Sequence, residues 1–222
     1  MVSIKRFIKS IRDYYAEGQV GDIAFLKIKL LGLSATPELL AQLQDLAGYA
    51  PEIDLDALSQ LPKGTLGYEY AQHMHKNGIL PLVISPDLQI EAQQAPFALR
   101  YTTTHDMFHV LLGFDTSYAG EVGVFAFMAA QNYSSFINAA LPIMSKIYPL
   151  IFWGQRQSMI ANIQAGKALG EQAKCLLAYR IEDHWARPIA DIRSELGLVL
   201  EGSDLAQDMQ DNLLYKAAES IA

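Results

Sequence analysis

Apolar residues recur at intervals of three and four along most of the chain, the spacing of one face of an α-helix. The first such run covers residues 4–15 and ends near Gly18. A second covers residues 23–31, and a third begins at Thr36-Pro37, a capping hydroxyl followed by proline at the first helical position. The same spacing predicts further helices at residues 54–60, 67–76, 97–112, 125–140, 142–151, 157–169, 171–182, 188–196 and 203–220.

These helices predict an all-α fold, a single-domain multi-helix bundle over residues 1–222. No internal repeat or linker marks a second domain, and 222 residues suit one core better than two. The least helical stretch is residues 78–96, which contains Pro81, Pro86 and Pro96 and has room for a short strand at residues 82–84.

Composition narrows the classes of function. Hydrophobic residues make up 51% of the chain, 18% are charged and the mean hydropathy is +0.11, so the chain is expected to fold. The net charge of -7 has the wrong sign for binding a phosphate backbone, and nucleic acid is not an expected partner.

No run of about 20 apolar residues is available to span a bilayer, and no export signal is visible. The single cysteine, Cys175, is predicted to be a buried structural thiol, and we expect a cytoplasmic location.

One short motif concentrates the chemistry of the chain. It reads His105-Asp106-Met107-Phe108-His109, and after eleven further residues comes Glu121. Residues four apart share a helix face, so both imidazoles can point at one position. Gly113 ends this helix and Asp115-Thr116-Ser117 can cap the next, which predicts an antiparallel helical hairpin with Glu121 opposite His109.

The donor set of this motif predicts a mononuclear metal site. Two histidines and a carboxylate offer the nitrogen and oxygen ligands that zinc accepts, and Asp106 is either a fourth ligand or a partner of one. Manganese, iron and magnesium also accept such ligands. The alternative, a polar face directed at water, suits this otherwise apolar helix less well. His73 and His75 lie two apart and are predicted to be a surface pair, whereas His184 is predicted to end a helix.

Two other stretches leave alternatives open. The first helix places Lys5, Arg6, Lys9 and Arg12 behind an apolar face, so it suits either an ordinary outer helix or an anionic membrane surface. The second stretch is rich in aromatic residues and methionine. Its residues are expected in the core, or else lining a tunnel for a long apolar ligand: Phe125, Phe127, Met128, Tyr133, Phe136, Met144, Tyr148, Phe152 and Trp153.

The motif resembles the HDxxH(x11)E signature of the coenzyme Q (ubiquinone) biosynthesis protein family, the fourth-numbered protein of that pathway. The resemblance runs from about residue 20 to 200. Supporting matches are Gly64-Thr65-Leu66-Gly67 with Tyr70-Ala71 upstream, and Trp185, Pro188, Arg193, Leu196 and Gly197 downstream. Two departures are that Phe108 stands where family members often have tryptophan, and that the transit peptide of the mitochondrial members is missing, which suggests a bacterial setting.

The resemblance implies an all-helical fold with a divalent metal, usually zinc, at His105, Asp106, His109 and Glu121. The same four residues become the candidate catalytic residues. It further implies an apolar cleft for a polyprenyl lipid or prenylated aromatic beside the metal, peripheral association with the inner face of a membrane, homodimerisation, and partners among other quinone-biosynthesis proteins. The implied function is oxidative decarboxylation at C1 of a prenylated 4-hydroxybenzoate, together with organisation of the quinone-biosynthesis complex.

Two alternative functions fit the same residues. One is a non-catalytic lipid carrier or scaffold, in which the metal only fixes structure or a polar head group. The other is a metal-dependent hydrolase of unrelated substrate, because HDxxH is similar to the HExxH helix in which glutamate is the general base. Lipid that co-purifies with the protein would favour the lipid-binding functions over the hydrolase.

Overall fold

The computed structural model describes residues 20–199, and over that range the protein is all-α, as predicted. Its helices are α1 Val20–Leu30, α2 Pro37–Gln42, α3 Leu55–Ser59, α4 Leu66–Asn77, α5 Gln89–Gln93, α6 Pro96–Leu112, α7 Tyr118–Ala130, α8 Ser135–Ile151, α9 Arg156–Gln172 and α10 Ile189–Leu196. Short 3-10 turns occur at Gln44–Leu46, Pro86–Leu88, Trp153–Gln155 and Ile181–His184. The helices predicted at residues 4–15 and 203–220 lie outside the described residues.

Helix starts follow local capping chemistry. The Thr36 hydroxyl accepts a hydrogen bond from the Leu39 amide at 3.4 Å, and Thr65 caps α4 in the same way. At the other end of α4, Gly78 adopts a left-handed conformation with φ of 63°, which glycine reaches without a steric penalty. These signals are local in sequence, which is why the predicted helix starts at these positions are confirmed.

Helix α6 is central to the molecule because core packs on most of its circumference. Twelve of its 17 residues are buried, including Thr102 and Thr104. The largest cluster of buried side chains draws on most helices, and its fully buried members include Phe25, Leu66, Met74, Phe108, Phe127 and Ile192. A helix enclosed in this way has little rotational freedom, so its polar side chains are held in fixed directions.

Helices α7 and α9 approach so closely that only glycine fits between their backbones. A Cβ atom on Gly166 would lie 2.2 Å from the carbonyl oxygen of Gly123, and one on Gly170 would lie 2.6 Å from the carbonyl oxygen of Phe127. The Gln131 side-chain amide adds a hydrogen bond of 2.6 Å to the Gly170 carbonyl. This contact fixes the position of α7, the helix that carries Glu121.

Replacing Gly166 with alanine is expected to lower the free energy of unfolding by about 1–3 kcal/mol, because the added methyl group must push the α7 and α9 backbones apart. Gly154→Ala is the matched control, since a Cβ atom there meets nothing within 4 Å. Chemical denaturation of both variants provides the measurement. Equal stability of the two variants would contradict the close approach.

Two predicted helix boundaries are wrong around Pro142. The structure ends α7 at Ala130, bends the chain at Asn132, where φ is 55°, and starts α8 at Ser135. Helix α8 then continues through both Pro142 and Pro149, so residues 125–140 and 142–151 are not the two helices predicted. Proline removes one backbone donor inside a helix, and here it does not end the helix.

Two further predictions are wrong. The segment 82–84 forms no strand, and the described residues contain only one isolated β-bridge, between Thr65 and Pro188. Residues 173–180 are not helical either, although a helix was predicted over 171–182. Their backbone groups bond instead to other elements: the Lys174 amide donates to the Leu196 carbonyl, and the Leu177 amide donates to the Tyr133 hydroxyl.

Within residues 20–199, no single helix combines the length and apolar character needed to cross a membrane. Helices Ser135–Ile151 and Trp153–Gln172 satisfy that test only as a pair, bent by 109°, on length and composition alone.

Candidate metal centre

Helix α6 brings the two motif histidines onto one face. It begins at Pro96 in the first helical position and ends at Gly113, whose φ of 78° allows its amide to bond the His109 carbonyl. His105 and His109 lie one turn apart in the C-terminal half of this helix. Their ring centroids are 5.0 Å apart and the rings are nearly perpendicular.

The first turn of α7 supplies the acidic partner. The Ser117 hydroxyl accepts a hydrogen bond from the Gly120 amide at 3.2 Å, and Asp115 accepts one from Ser117. Glu121 follows in the first helical turn, where the positive end of the helix dipole stabilises a carboxylate. The short connection from Gly113 to Ser117 therefore returns the chain so that Glu121 faces the histidines.

Three donor groups converge at this point. Nε2 of His105 lies 3.2 Å from Oε2 of Glu121, and Nε2 of His109 lies 3.3 Å from Oε1. The two Nε2 atoms are 3.3 Å apart. One donor atom from each residue lies within 4.8 Å of the others, an arrangement that can hold a metal ion.

The remaining ring nitrogen of His109 sets its tautomer. Nδ1 lies 3.3 Å from the Phe114 carbonyl oxygen, which can only accept a hydrogen bond. Nδ1 must therefore carry the proton in the neutral ring, which leaves a lone pair on Nε2 facing Glu121. A histidine bonded to a backbone carbonyl in this way is oriented for ligation.

Burial and charge favour an ionised Glu121. Burial opposes its ionisation, but the His105 and His109 rings, when protonated, supply hydrogen bonds and positive charge that outweigh burial and lower its pKa to about 2. For His109, burial favours the neutral ring, yet Glu121 and the Phe114 carbonyl raise its pKa. His109 is 1% exposed whereas the Glu121 side chain is 46% exposed, so the cluster is closed on the α6 side and open at Glu121.

Asp106 is not one of the three converging donors. Its carboxyl group is half-buried next to the cluster, and burial together with the charge of Glu121 raises its pKa, while the two histidines act in the opposite direction. The structure thus brings together three of the four predicted residues. Ligation by Asp106 stays a prediction.

His73 belongs to the surroundings of this cluster, contrary to its prediction as part of a surface pair. Its ring stacks on His109 with centroids 6.0 Å apart and planes 17° apart. Its Nε2 atom is buried and has no hydrogen-bond partner among the described residues, and burial lowers its pKa to about 4. His75 is exposed as predicted, and His184 ends a 3-10 turn. The sequence gives no sign that His73 and His109, 36 positions apart, are neighbours.

Tyr101 and Arg193 complete the surroundings. The Tyr101 ring lies 5.6 Å from the His105 ring, one helical turn earlier on α6, and the negative charge of Glu121 adds to burial in raising the pKa of its phenol. Arg193 on α10 donates to the carbonyl oxygens of Leu111 and Val110 at 3.0 and 2.8 Å. It thereby secures the end of α6 directly after His109. Because Tyr101 and His105 are four residues apart on one helix, the sequence could have predicted that their rings lie close together.

The aromatic and methionine-rich stretch divides between core and surface. Phe127, Met128 and Tyr133 are buried as expected, whereas Phe136 and Trp153 are 49% and 68% exposed.

A groove of about 660 Å³ lies elsewhere, lined by Glu52, Ile53, Asp54, Leu55, Asp56, His75, Leu80 and Pro81. None of the three donor residues lines this groove, and the apolar lipid cleft stays a prediction. Cys175 is only partly buried, not fully buried as predicted, and that burial raises the pKa of its thiol.

Comparison with known proteins agrees with the resemblance found in the motif. Residues 49–201 match the family described as coenzyme Q (ubiquinone) biosynthesis protein Coq4. Curated relatives include the mitochondrial ubiquinone biosynthesis protein COQ4 homologs of Danio rerio, 31% identical, and Rattus norvegicus, 30% identical. Each alignment spans 150 residues and 66% of this chain. The chain spans about half the length of these relatives, 54% and 55%.

A solved structure supports the same assignment. The crystal structure of a candidate ubiquinone biosynthesis protein from Nostoc punctiforme superimposes with a TM-score of 0.58 at 26% identity. It covers 81% of this chain and 82% of its own. The matched family segment contains the whole His105, His109 and Glu121 cluster, and it also contains Arg193, which bonds the end of α6. The chain belongs to the Coq4 family of coenzyme Q (ubiquinone) biosynthesis proteins.

Proposed function

We propose that His105, His109 and Glu121 bind a divalent metal, zinc in preference to magnesium. The observation that carries the proposal is the convergence of one donor atom from each residue within 4.8 Å of the others. The two imidazole Nε2 atoms are 3.3 Å apart, and each lies 3.2–3.3 Å from a different carboxylate oxygen of Glu121. The donor chemistry also suits zinc, since two of the three are imidazole nitrogens.

The substrate proposed is a prenylated 4-hydroxybenzoate, carried over from the family to which the chain belongs. Bound at this site, the metal would supply Lewis acidity toward an oxygen of the aromatic head group. Glu121 is the exposed member of the donor set, so the head group would arrive from its side. The Tyr101 phenol, beside His105, carries a proton that it can donate in a hydrogen bond to an anionic head group.

The reaction proposed replaces the C1 carboxyl group by a hydroxyl. The carboxyl carbon leaves as carbon dioxide, water supplies the hydroxyl group, and the two electrons and two protons released pass to an acceptor such as dioxygen, which becomes hydrogen peroxide. The residues of this chain orient the head group and shield it from water on the α6 side, where His109 is buried. Other quinone-biosynthesis proteins, a second copy of the chain and the inner face of a membrane are proposed as partners on the same family basis.

A cellular complementation experiment tests this function. In a bacterial strain that depends on a Coq4-family protein, the wild-type chain is expected to restore quinone output, and His105→Ala/His109→Ala is expected to lose both quinone output and metal content. His75→Ala is the matched control, because His75 is exposed and outside the donor set. Unchanged quinone output in the double variant would contradict the proposal.

The carrier or scaffold alternative makes a different prediction for the same strain. If the metal only holds a head group, Glu121→Ala should still co-purify with prenyl lipid and with its partner proteins. Native mass spectrometry of the purified variant detects such lipid. Retained lipid together with lost quinone output would support catalysis at the site, and retention of both would support the carrier.

A further inference from the structure

Helix α8 exposes a continuous apolar stripe. Phe136, Ile143, Ile147 and Leu150 lie at intervals of seven, four and three residues, which places them on one face of α8. Trp153 follows in the 3-10 turn after the helix, and we call these five residues the α8 face. Ile143 and Leu150 are 60% and 66% exposed, and Ile151 beside them is 63% exposed. Contiguous exposed apolar surface of this kind marks an interaction site in soluble folds.

The charged residues in the segment that carries the α8 face all have one sign. The chain carries a net charge of -7, yet no aspartate or glutamate occurs from Val122 to Gly170. The three charged residues in that interval are Lys146, Arg156 and Lys167, all exposed. The Arg156 guanidinium lies 5.0 Å from the centroid of the Trp153 ring, which combines a cation and an indole at one edge of the face.

An aromatic pair joins the α8 face to the candidate metal centre. Phe152, next to Trp153, stacks on Tyr118 with ring centroids 4.1 Å apart. Tyr118 is 57% exposed and precedes Glu121 by one turn on α7. The apolar surface therefore reaches the side of the cluster on which Glu121 is exposed.

We propose that the α8 face docks on an anionic lipid surface, with α8 lying in the plane of the membrane. An apolar helix face flanked by basic residues, with a tryptophan at its end, has the chemistry that binds the interface of such a membrane. At 17 residues, α8 is about 25 Å long, shorter than the roughly 30 Å of a bilayer core. Resting on the proposed function, this orientation turns the Glu121 side of the cluster toward the lipid from which a prenylated substrate would come.

A second copy of the chain fits the α8 face less well. The helix offers one charged side chain, Lys146, and no acid with which a second α8 helix could form an ion pair. Two copies packed face to face would bring positive charges together. An anionic lipid surface satisfies the same charges.

Vesicle flotation of the full chain tests the proposal, using phosphatidylcholine with and without phosphatidylglycerol. The wild-type chain is expected to float with the anionic vesicles, and Ile147→Asp/Leu150→Asp is expected to bind at least about tenfold more weakly. Leu80→Asp/Ile90→Asp is the matched control, since those residues are 76% and 72% exposed but lie outside the α8 face. Equal binding of both double variants, or no binding of the wild type, would overturn the proposal.

Charge reversal separates the electrostatic part of the interaction. Lys146→Glu and Arg156→Glu are each expected to weaken binding to anionic vesicles by about fivefold or more, with little change on phosphatidylcholine alone.

If Ile147→Asp/Leu150→Asp instead turns a dimer into a monomer and leaves flotation unchanged, the face belongs to a second copy. If that variant lowers the free energy of unfolding and the wild type does not float, residues outside 20–199 cover the face. Either result refutes lipid docking.

Binding of a short, water-soluble prenylated 4-hydroxybenzoate in detergent-free buffer is measured on the same variants. Lost flotation with retained ligand binding and metal content supports docking through the α8 face. Lost ligand binding in Glu121→Ala with normal flotation would count against the proposed function and leave the docking surface standing.

Discussion

Replacing Arg100 with methionine is expected to lower the free energy of unfolding by about 3–5 kcal/mol, because it strands a buried negative charge. Arg100 is fully buried on α6, and its guanidinium bonds both carboxylate oxygens of Glu182, itself 7% exposed. It also donates to the carbonyl oxygens of Leu177 and Tyr179. Removing the guanidinium takes this donor from the Glu182 carboxylate and the Leu177 carbonyl, whereas the Tyr179 carbonyl still accepts from the Ile181 amide. Urea denaturation followed by circular dichroism measures the loss.

Two further variants distinguish charge from packing at this position. Arg100→Met/Glu182→Met is expected to recover much of the lost stability, since it removes both charges and leaves apolar side chains of similar length. Arg187→Met, which breaks an ion pair with Glu195 on the surface, is expected to have little effect. A double variant no more stable than Arg100→Met would mean that the backbone acceptors, and not Glu182, dominate the loss.

Glu121→Gln is expected to weaken zinc binding by more than about 100-fold. The change keeps the size of the side chain and removes its negative charge, so the zinc ion loses its anionic ligand. Loss of a residue that only hydrogen-bonds to a ligand already weakens metal affinity by about 10–100-fold, and loss of a ligand is expected to weaken it more. Competition with a chromophoric chelator measures the dissociation constant. Glu171→Gln is the matched control, because Glu171 is exposed at the end of α9 and outside the cluster.

The same titration decides the role of Asp106. If Asp106 only orients a ligand, Asp106→Asn is expected to weaken zinc binding by about 10–100-fold. If Asp106 is a fourth ligand, the same change is expected to weaken zinc binding as much as Glu121→Gln does. An unchanged dissociation constant in Glu121→Gln would contradict the proposed ligand set.

The donor residues were predictable because their signals are local. Histidines four apart share a helix face whatever the rest of the fold does, and Gly113 with Ser117 specifies a tight turn between two helices. The fold class followed from apolar periodicity in the same way. His73 lay beyond prediction because its contact with His109 depends on how α4 packs on α6, and no local rule encodes that packing.

The misplaced elements have physical causes of the same kind. Residues 173–180 have helical periodicity, but their backbone bonds to Leu196, to the Tyr133 hydroxyl and to Arg100, and these tertiary partners replace a helical ladder. Residues expected in the core or lining a tunnel, such as Phe136 on α8 and Trp153 in the 3-10 turn after it, prove to be exposed because this part of the chain lies at the surface. Periodicity identifies an apolar face and leaves open what covers that face.

The most direct test of the central claim is an equilibrium titration of the full chain with a soluble prenylated 4-hydroxybenzoate, before and after removal of bound metal by chelation. We expect measurable binding that weakens at least about tenfold on chelation, returns when zinc is added back, and does not return in Glu121→Gln. Binding that is indifferent to chelation, or equally strong in Glu121→Gln, would contradict a metal centre at His105, His109 and Glu121 that organises the substrate.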